Sequence, residues 1–177
     1  MPDRDLHAAP PAHHEHKKHA PQQVGCAVIT CSDTRTAETD TSGQLMQRLL
    51  KEHGHTVSAY HLVKDEPAEI RRLIDKASEN DAVQAILING GTGISRRDST
   101  FEAVDGLLEK RLEGFGEIFR YLTYQDIGSP AIMSRATAGS FRGRIIISTP
   151  GSEGAVRLAM EKLIIPELAH MVQQLTK

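Results

Sequence analysis

The chain has 177 residues, and its 21 basic and 23 acidic side chains give a formal charge of -2, so its overall charge does not favour nucleic acid or an anionic membrane as a partner. Hydrophobic residues make up 39% of it, enough for one folded domain with a sizeable core. Aromatic residues are only 4% and tryptophan is absent, which argues against a base-stacking protein and favours a small-molecule function.

Residues 1–23 form a block of their own, rich in proline, histidine, alanine and charge and without periodic apolar residues. Such a composition predicts a disordered arm in front of a domain that covers residues 24–177. We interpret the arm as a solvated tail, with loose binding of a transition metal as the alternative because neutral imidazole is a good ligand. Five histidines lie in the arm, at His7, His13, His14, His16 and His19.

Cys26 and Cys31 are the only cysteines. They lie in or beside one apolar run, where this spacing on a strand points the two side chains to opposite faces, so we expect reduced thiols without a disulfide bond. Two thiols alone also do not complete a structural zinc site. No apolar stretch approaches the roughly 18 residues that span a bilayer, and there is no signal-type apolar core. These features predict a cytoplasmic protein without membrane association.

From Val24 onward, short apolar runs alternate with amphipathic stretches, a pattern typical of an α/β domain with a mainly parallel sheet. Phe115, Ile118, Phe119 and Leu122 have helical spacing, which indicates core packing. The predicted strands cover residues 26–30, 56–63, 86–89 and 145–147. The predicted helices cover residues 42–53, a segment opened by residues 65–67, a segment from about residue 100, residues 115–122, and a last helix from about residue 153 with a kink at Pro166.

The third predicted strand ends at Gly90-Gly91-Thr92-Gly93, and Arg96-Arg97-Asp98 follows. Glycines let backbone N–H groups approach an anion, while arginines and an aspartate can hold phosphate and metal. The spacing matches neither the lysine-containing phosphate loop nor the dinucleotide-binding glycine pattern. Glycines of this kind also serve simple strand-to-helix turns, and such charges form solvated clusters. The residues alone therefore predict an α/β protein with an anion site.

Ser99 and Glu102 have the spacing of a capping box, which predicts a helix that begins near Thr100. This helix would carry Val104, Leu107 and Leu108 into the core. Its N-terminal N–H groups and dipole would reinforce anion binding at the end of the glycine loop.

Four polar loops follow predicted strands, and in open α/β sheets ligands bind where such loops converge. Asp65 and Asp98 are the natural carboxylate pair for Mg²⁺, which takes one or two carboxylates together with phosphate oxygens. For Asp65, capping of the helix beside Pro67 is an equally good interpretation. The four loops are residues 31–40, 64–66, 90–98 and 149–152.

A further small-residue loop, Ser134-Arg135-Ala136 followed by Gly139, offers a hydroxyl and a guanidinium. From the residues alone, a surface turn is the favoured interpretation of this loop.

Residues 24–175 contain an ordered set of motifs that resembles the MoaB/MogA family of molybdenum cofactor biosynthesis proteins. The most specific part is Gly-Gly-Thr-Gly-x-x-x-Arg-Asp from Gly90 to Asp98, followed by Gly-Phe-Gly-Glu from Gly114. The chain departs from the family pattern at Ser99, where an apolar residue is usual, and at Phe101, where proline is frequent. The other motifs are Thr30-Cys31-Ser32-Asp33, Asp40-Thr41-Ser42-Gly43, Met133-Ser134-Arg135-Ala136 and Pro150-Gly151-Ser152.

The resemblance implies a three-layer α/β/α molybdopterin-binding fold, assembled as a homotrimer or homohexamer. It implies Mg²⁺-dependent adenylylation of molybdopterin by ATP, with Asp65 and Asp98 as the catalytic, metal-carrying carboxylates. Thr92 and the N–H groups of the neighbouring glycines would cradle a phosphate. The ligand-binding residues implied in this way are Gly90, Gly91, Thr92, Gly93, Ser32, Asp33, Arg35, Ser134, Arg135, Pro150, Gly151 and Ser152.

Other molybdenum cofactor biosynthesis proteins, such as the insertase, are the partners that the resemblance implies, with no nucleic acid among them. The alternative within the same pathway is a molybdopterin-binding or scaffold protein that does not catalyse a reaction.

Overall fold

The computed structural model describes residues 21–176. The predicted N-terminal arm, with its five histidines, lies almost wholly outside these residues, and the boundary after residue 23 stays a prediction. The strands are β1 (Gly25–Cys31), β2 (Thr56–Val63), β3 (Ala85–Asn89), β4 (Lys110–Arg111), β5 (Thr137–Phe141) and β6 (Arg144–Thr149). The helices are α1 (Thr41–Glu52), α2 (Pro67–Ser78), α3 (Thr100–Asp105), α4 (Glu113–Ile127), a 3₁₀ turn (Ser129–Met133), α5 (Glu153–Ala159), a π segment (Met160–Ile164) and α6 (Ile165–Leu175).

One six-stranded sheet runs through the domain in the order β2-β1-β3-β6-β5-β4. The strands β2, β1, β3 and β6 are parallel, whereas β5 runs antiparallel to both of its neighbours, β6 and β4. The prediction of a mainly parallel α/β sheet is confirmed. The central strands β1 and β3 are buried on both faces, which explains their nearly continuous apolar sequence.

The strands β4 and β5 were not predicted. β4 is only two residues long, and β5 contains Gly139 and Ser140, which weaken the apolar pattern of a strand. A two-residue turn joins β5 to β6, and its residues Arg142 and Gly143 both have positive φ angles, of 46° and 70°. Such a turn matches the twist of an antiparallel pair.

Side chains of successive sheet residues enter two separate cores, one on each face of the sheet. Cys26 and Val28 lie in the core beneath α1, α4, α5 and α6. Ala27 and Ile29 lie in the other core, beneath α2 and α3. The result is the predicted three-layer arrangement. Cys31 lies in the second core, so the two cysteines are on opposite faces and both are free thiols, as predicted.

The prediction for α3 was wrong in two respects. The helix has only six residues, so Leu107 and Leu108 follow it rather than belong to it. Ser99 occupies the N-cap position but makes no side-chain capping bond. Its hydroxyl instead donates to the Asp65 carboxylate at 2.7 Å, and Glu102 accepts from Arg135, so tertiary partners replace the predicted capping box.

Two other helix predictions also need correction. Phe115 and Phe119 are buried in α4, but Ile118 is 50% exposed and does not belong to the core. The disturbance predicted at Pro166 takes the form of the π segment just before it, where the Ile165 N–H donates to the Met160 carbonyl. No helix within residues 21–176 is both long and apolar enough to cross a membrane.

His55 ties the loop after α1 to the start of β1. His55 is 8% exposed, and its Nδ1 accepts a hydrogen bond from the Val24 N–H at 3.2 Å, which requires an unprotonated Nδ1. Burial, and then the nearby charge of His53, lower the pKa of His55 below the ordinary 6.5. The unfolded chain therefore binds a proton more readily than the folded one.

We predict that stability falls as the pH drops through 6.5 towards the lowered pKa of His55, and that the His55 contribution is fully present above 6.5. Urea unfolding at about pH 7.5 and about pH 5.5 measures this loss. The loss of stability between these two pH values should be smaller in His55→Gln, which keeps an acceptor for the Val24 N–H. The pKa of the half-buried His61 is also lowered, first by burial, so His61→Gln is the matched control. Equal losses in wild type and His55→Gln would contradict the role of His55.

Candidate functional site

A cavity of about 430 Å³ opens at the carboxyl edge of the parallel strands. The chain leaves β1 to form β2 on one side and returns to form β3 on the other, so the loops after β1 and β3 diverge there. Such a reversal of strand order leaves a crevice in which ligands bind. The cavity is lined by Cys31, Ser32, Thr34, Arg35, Gly90, Gly91, Thr92, Gly93, Asp98, Pro130, Met133, Ser134, Pro150 and Gly151.

The first two loop glycines have conformations and surroundings that exclude a side chain. Gly90 and Gly91 have φ angles of 95° and 60°. A Cβ on Gly90 would collide with the Cys31 carbonyl, and one on Gly91 would collide with Asp65 and Thr100. The loop therefore needs glycine at both positions, as its sequence indicated.

The glycine loop presents a run of unused backbone donors. Within residues 21–176, the N–H groups of Gly91, Thr92, Gly93 and Ile94 donate to no carbonyl or side chain. The ends of the loop are fixed, because the Gly90 N–H donates to the Thr149 carbonyl and the Thr100 N–H to the Gly91 carbonyl. Successive free N–H groups held in this way form a concave site for an anion.

Asp98 closes a turn within this loop and lines the cavity. Its Oδ2 accepts from the Ser95 N–H at 3.0 Å, and its own N–H donates to the Ser95 carbonyl. Among the residues that the structure describes, none donates a hydrogen bond to its Oδ1. One carboxylate oxygen thus stays available at the edge of the cavity.

Asp65 lies behind the loop rather than in the lining of the cavity. Its Oδ1 accepts from the Ser99 N–H at 3.2 Å, the Ser99 hydroxyl at 2.7 Å and the Thr100 hydroxyl at 3.1 Å. The alternative that Asp65 caps the helix beside Pro67 was wrong, since Glu66 occupies the N-cap position of α2, where no side-chain capping bond is made. Asp65 instead holds the first residues of α3.

Arg35 is oriented by a buried carboxylate that the sequence analysis did not single out. The Asp40 carboxylate accepts from Arg35 at 3.2 Å and from the Tyr60 hydroxyl at 2.7 Å. Arg35 also donates to the Gly151 carbonyl at 2.8 Å, as does the Ser42 hydroxyl. Arg35 is therefore held between two loops that line the cavity.

Hydrogen bonds keep Asp40 ionised although it is fully buried. Burial raises its pKa, but the hydrogen bonds from Tyr60, Thr30 and the Gly43 N–H outweigh burial and hold the pKa below its ordinary value. Burial and then the bond to Asp40 raise the pKa of Tyr60. Asp40 is the first residue of the family motif Asp40-Thr41-Ser42-Gly43, and its position at the N-cap of α1 is the signal that could have identified it. No local signal singles out Tyr60.

Three of the predicted ligand-binding residues, Asp33, Ser152 and Arg135, do not line the cavity. Asp33 pairs with Arg97 at 2.6 Å, and the hydrogen bond from Arg97 lowers the pKa of Asp33. Ser152 caps α5 by accepting from the Ala155 N–H. Arg135 donates to the Thr92 carbonyl at 2.8 Å, behind the glycine loop.

Four lining residues were not predicted as site residues: Cys31, Thr34, Pro130 and Met133. Cys31 is the last residue of β1 and Thr34 lies in the loop after it, whereas the other two belong to the 3₁₀ turn, which the sequence pattern did not reveal. Burial raises the pKa of Cys31 to about 12, so its thiol is protonated at neutral pH and is not a nucleophile.

A family model described as "Probable molybdopterin binding domain" matches residues 27–170. The chain belongs to the MoaB/MogA family of molybdenum cofactor biosynthesis proteins. It is 57% identical over 164 residues to "Molybdenum cofactor biosynthesis protein B" of Bacillus subtilis (strain 168), covering 92% of this chain and 96% of that protein. The resemblance inferred from the motifs is confirmed.

Solved structures of the MoaB/MogA family share the fold. A crystal structure of molybdenum cofactor biosynthesis protein B superimposes with a TM-score of 0.86 at 51% identity, over 89% of this chain and 98% of that one. The structure of the tungsten cofactor synthesizing protein MoaB from Pyrococcus furiosus gives a TM-score of 0.80 at 34% identity. The match covers 89% of this chain and 100% of that one. A MogA structure gives a TM-score of 0.75 at 27% identity, and the match covers 85% of this chain and 99% of that one. These neighbours confirm the predicted fold class.

We predict that Gly91→Ala lowers the free energy of unfolding by more than Gly54→Ala does. Both glycines have positive φ angles, 60° and 82°, so either alanine has a backbone cost of about 1–2 kcal/mol. Only at Gly91 does the new Cβ also collide with Asp65 and Thr100, whereas the space around Gly54 is open. Urea unfolding of the two variants measures the difference, and equal losses would show that the collision is relieved without cost.

Proposed function

We propose that this protein adenylylates molybdopterin with ATP in a Mg²⁺-dependent step of molybdenum cofactor biosynthesis. Family membership supports the pathway, because the relatives similar to this chain are named for that biosynthesis. The observation that carries the reaction class is the run of unused N–H groups from Gly91 to Ile94 beside Asp98. The N–H groups suit phosphate oxygens, and the Asp98 carboxylate suits the cation that accompanies a phosphate group.

In the proposed reaction, an oxygen of the terminal phosphate of molybdopterin attacks the α-phosphorus of ATP. The bond between the α-phosphorus and the oxygen that bridges it to the β-phosphorus breaks, and pyrophosphate leaves with that oxygen. Such a transfer needs reactants held in line and charge stabilised on phosphate oxygens, so a protein nucleophile is not required. The loop N–H groups and the Arg35 guanidinium supply the stabilising donors, and the protonated Cys31 thiol takes no part.

The residues present fit Mg²⁺ when phosphate oxygens complete its coordination. Among residues 21–176, no cluster of three histidine, cysteine or acidic side chains is arranged to hold a metal alone. Mg²⁺ needs only one or two carboxylates with water and phosphate oxygens, and it neutralises phosphate charge when bound. We propose that Asp98 would hold the ion through its available Oδ1, and Asp65 through its Oδ2, which within residues 21–176 accepts only the Ser99 N–H, at 3.3 Å.

We predict that Asp98→Asn lowers the adenylylation rate at least ~100-fold, the scale of single electrostatic contacts at a transition state. Asparagine keeps an oxygen that can accept the Ser95 N–H, so the loss reports the missing charge rather than a broken turn. The measurement is pyrophosphate release and adenylylated pterin formed from molybdopterin, ATP and Mg²⁺. Asp126→Asn, at an exposed position of α4, is the control with the same change of charge.

Near-normal turnover of Asp98→Asn with unaltered Mg²⁺ dependence would contradict the proposed role of Asp98. A wild-type protein that binds molybdopterin but forms no product would support the alternative, a pterin-binding or scaffold protein without catalysis.

We further propose that copies of this chain associate as a homotrimer or homohexamer through an apolar surface on α4 and the 3₁₀ turn. These side chains recur at every third residue of α4 and continue onto the turn, and exposed apolar patches mark interaction sites. A hollow of about 490 Å³ lies among Tyr121, Tyr124 and Ile132. The exposed members are Ile118, Tyr121, Tyr124, Ile127, Ile132 and Met133.

We expect Ile132→Asp to shift the protein towards the monomer, because Ile132 is 85% exposed in the single chain and a buried, unpaired carboxylate would be costly at an interface. Sedimentation velocity measures the change. Asn80→Asp, an exposed site with the same change of charge on the opposite face of the sheet, is the control. A wild type that is already monomeric would rule out this interface.

We also propose that the protein acts in the cytoplasm, together with other molybdenum cofactor biosynthesis proteins such as the insertase.

A further inference from the structure

Arg135 lies behind the glycine loop that faces the cavity and donates hydrogen bonds to it. Its Nε donates to the Thr92 carbonyl at 2.8 Å, and its Nη2 donates to the Gly93 carbonyl. Its Nη1 donates to the Glu102 carboxylate. Each nitrogen of the guanidinium therefore has a partner among the described residues. The side chain does not line the cavity, although the family resemblance implied that it binds the ligand.

The carbonyls that Arg135 binds determine where two loop N–H groups point. In a trans peptide the C=O and the N–H of one plane point in opposite directions. The Thr92 carbonyl shares its plane with the Gly93 N–H, and the Gly93 carbonyl shares its plane with the Ile94 N–H. Both N–H groups are unused, so binding of the two carbonyls by Arg135 directs these donors away from the guanidinium.

The first turn of α3 holds the guanidinium plane. Arg135 lies over the Phe101 ring, 4.6 Å from its centroid, and pairs with Glu102. Only a planar, multidonor group can stack on a ring and bind two carbonyls and a carboxylate together, and a lysine ammonium has no such geometry.

We propose that Arg135 is a positioning residue, which aims the N–H groups of Gly93 and Ile94 at the bound phosphate by holding the Thr92 and Gly93 carbonyls. This inference rests on the proposed function in so far as the glycine loop is the phosphate site. Arg35, by contrast, lines the cavity and is the arginine available to touch the ligand.

The test begins with the ligand-free protein and Arg135→Lys. Hydrogen exchange is followed by NMR at the hydrogen-bonded loop amides of Ser95, Asp98 and Thr100. We expect these amides to exchange at least ~10-fold faster in Arg135→Lys, because the loop loses its fixed carbonyls. The control is Arg142→Lys, since Arg142, on the distant β5–β6 turn, also stacks on a ring, that of Phe141, and pairs with Asp75 of α2.

Affinity for inorganic pyrophosphate, measured by calorimetry, separates positioning from direct contact. A positioning role predicts that Arg135→Lys and Arg135→Ala weaken binding by similar factors, at least ~10-fold, because neither holds the loop. A direct contact predicts that the retained charge of Arg135→Lys preserves most of the affinity, and that result would overturn the proposal. Unchanged exchange of the loop amides in Arg135→Lys would overturn it as well.

These two measurements do not require turnover. A wild type that forms no adenylylated pterin, yet binds pyrophosphate in the way described, would refute the proposed reaction and leave the role of Arg135 intact. Faster exchange in Arg135→Lys with unchanged pyrophosphate affinity would show that the loop is not the phosphate site and would overturn the inference.

Discussion

The buried carboxylate of Asp65 is the interaction on which the arrangement of the site depends. A carboxyl group that is 5% exposed must be satisfied by hydrogen bonds, and Ser99 and Thr100 provide the donors at the start of α3. The same carboxylate occupies the space beside Gly91, where a side chain would stand in any other residue. Asp65 therefore sets both the beginning of α3 and the path of the glycine loop that precedes it.

The loop is held from three sides, and each contact comes from a different part of the chain. The Gly90 N–H donates to the Thr149 carbonyl of β6. The Arg97–Asp33 ion pair joins the glycine loop to the loop after β1. Arg135 binds the loop from behind. These contacts use the Gly90 N–H, two carbonyls and a charged side chain of the loop. Within the described part of the chain, the N–H groups from Gly91 to Ile94 therefore remain for a ligand.

Two arginines that look equivalent in the sequence have different positions. Arg35 lines the cavity, and the ionised Asp40 holds it in place. Arg135 lies behind the loop and stacks on Phe101. The cavity thus has backbone donors, a guanidinium and one available carboxylate oxygen, while its cysteine is protonated. This set of groups suits the positioning and charge stabilisation that phosphoryl-type transfer demands.

The sequence by itself determined the parallel strands, the loops at their carboxyl ends and the glycine loop, because burial on both faces and positive φ angles impose residue types that a local pattern reveals. The bounds of β2 and the separation of Cys26 from Cys31 follow from such patterns. Its motifs also identified the family. β4 and β5 escaped prediction because pairing, rather than an apolar pattern, defines them.

Only the tertiary structure decided the roles of Asp65, Arg135 and Tyr60. The hydrogen bonds that Ser99 donates to Asp65 and that Arg135 donates to Thr92 join residues 34 and 43 positions apart, and the Tyr60–Asp40 bond spans 20. Local propensity does not encode such partners. A serine three residues before a glutamate looks like a capping box until a buried carboxylate from another loop competes for its hydroxyl. The physical reason is that a buried charge must find donors wherever the fold brings them, and that requirement outweighs a local capping bond.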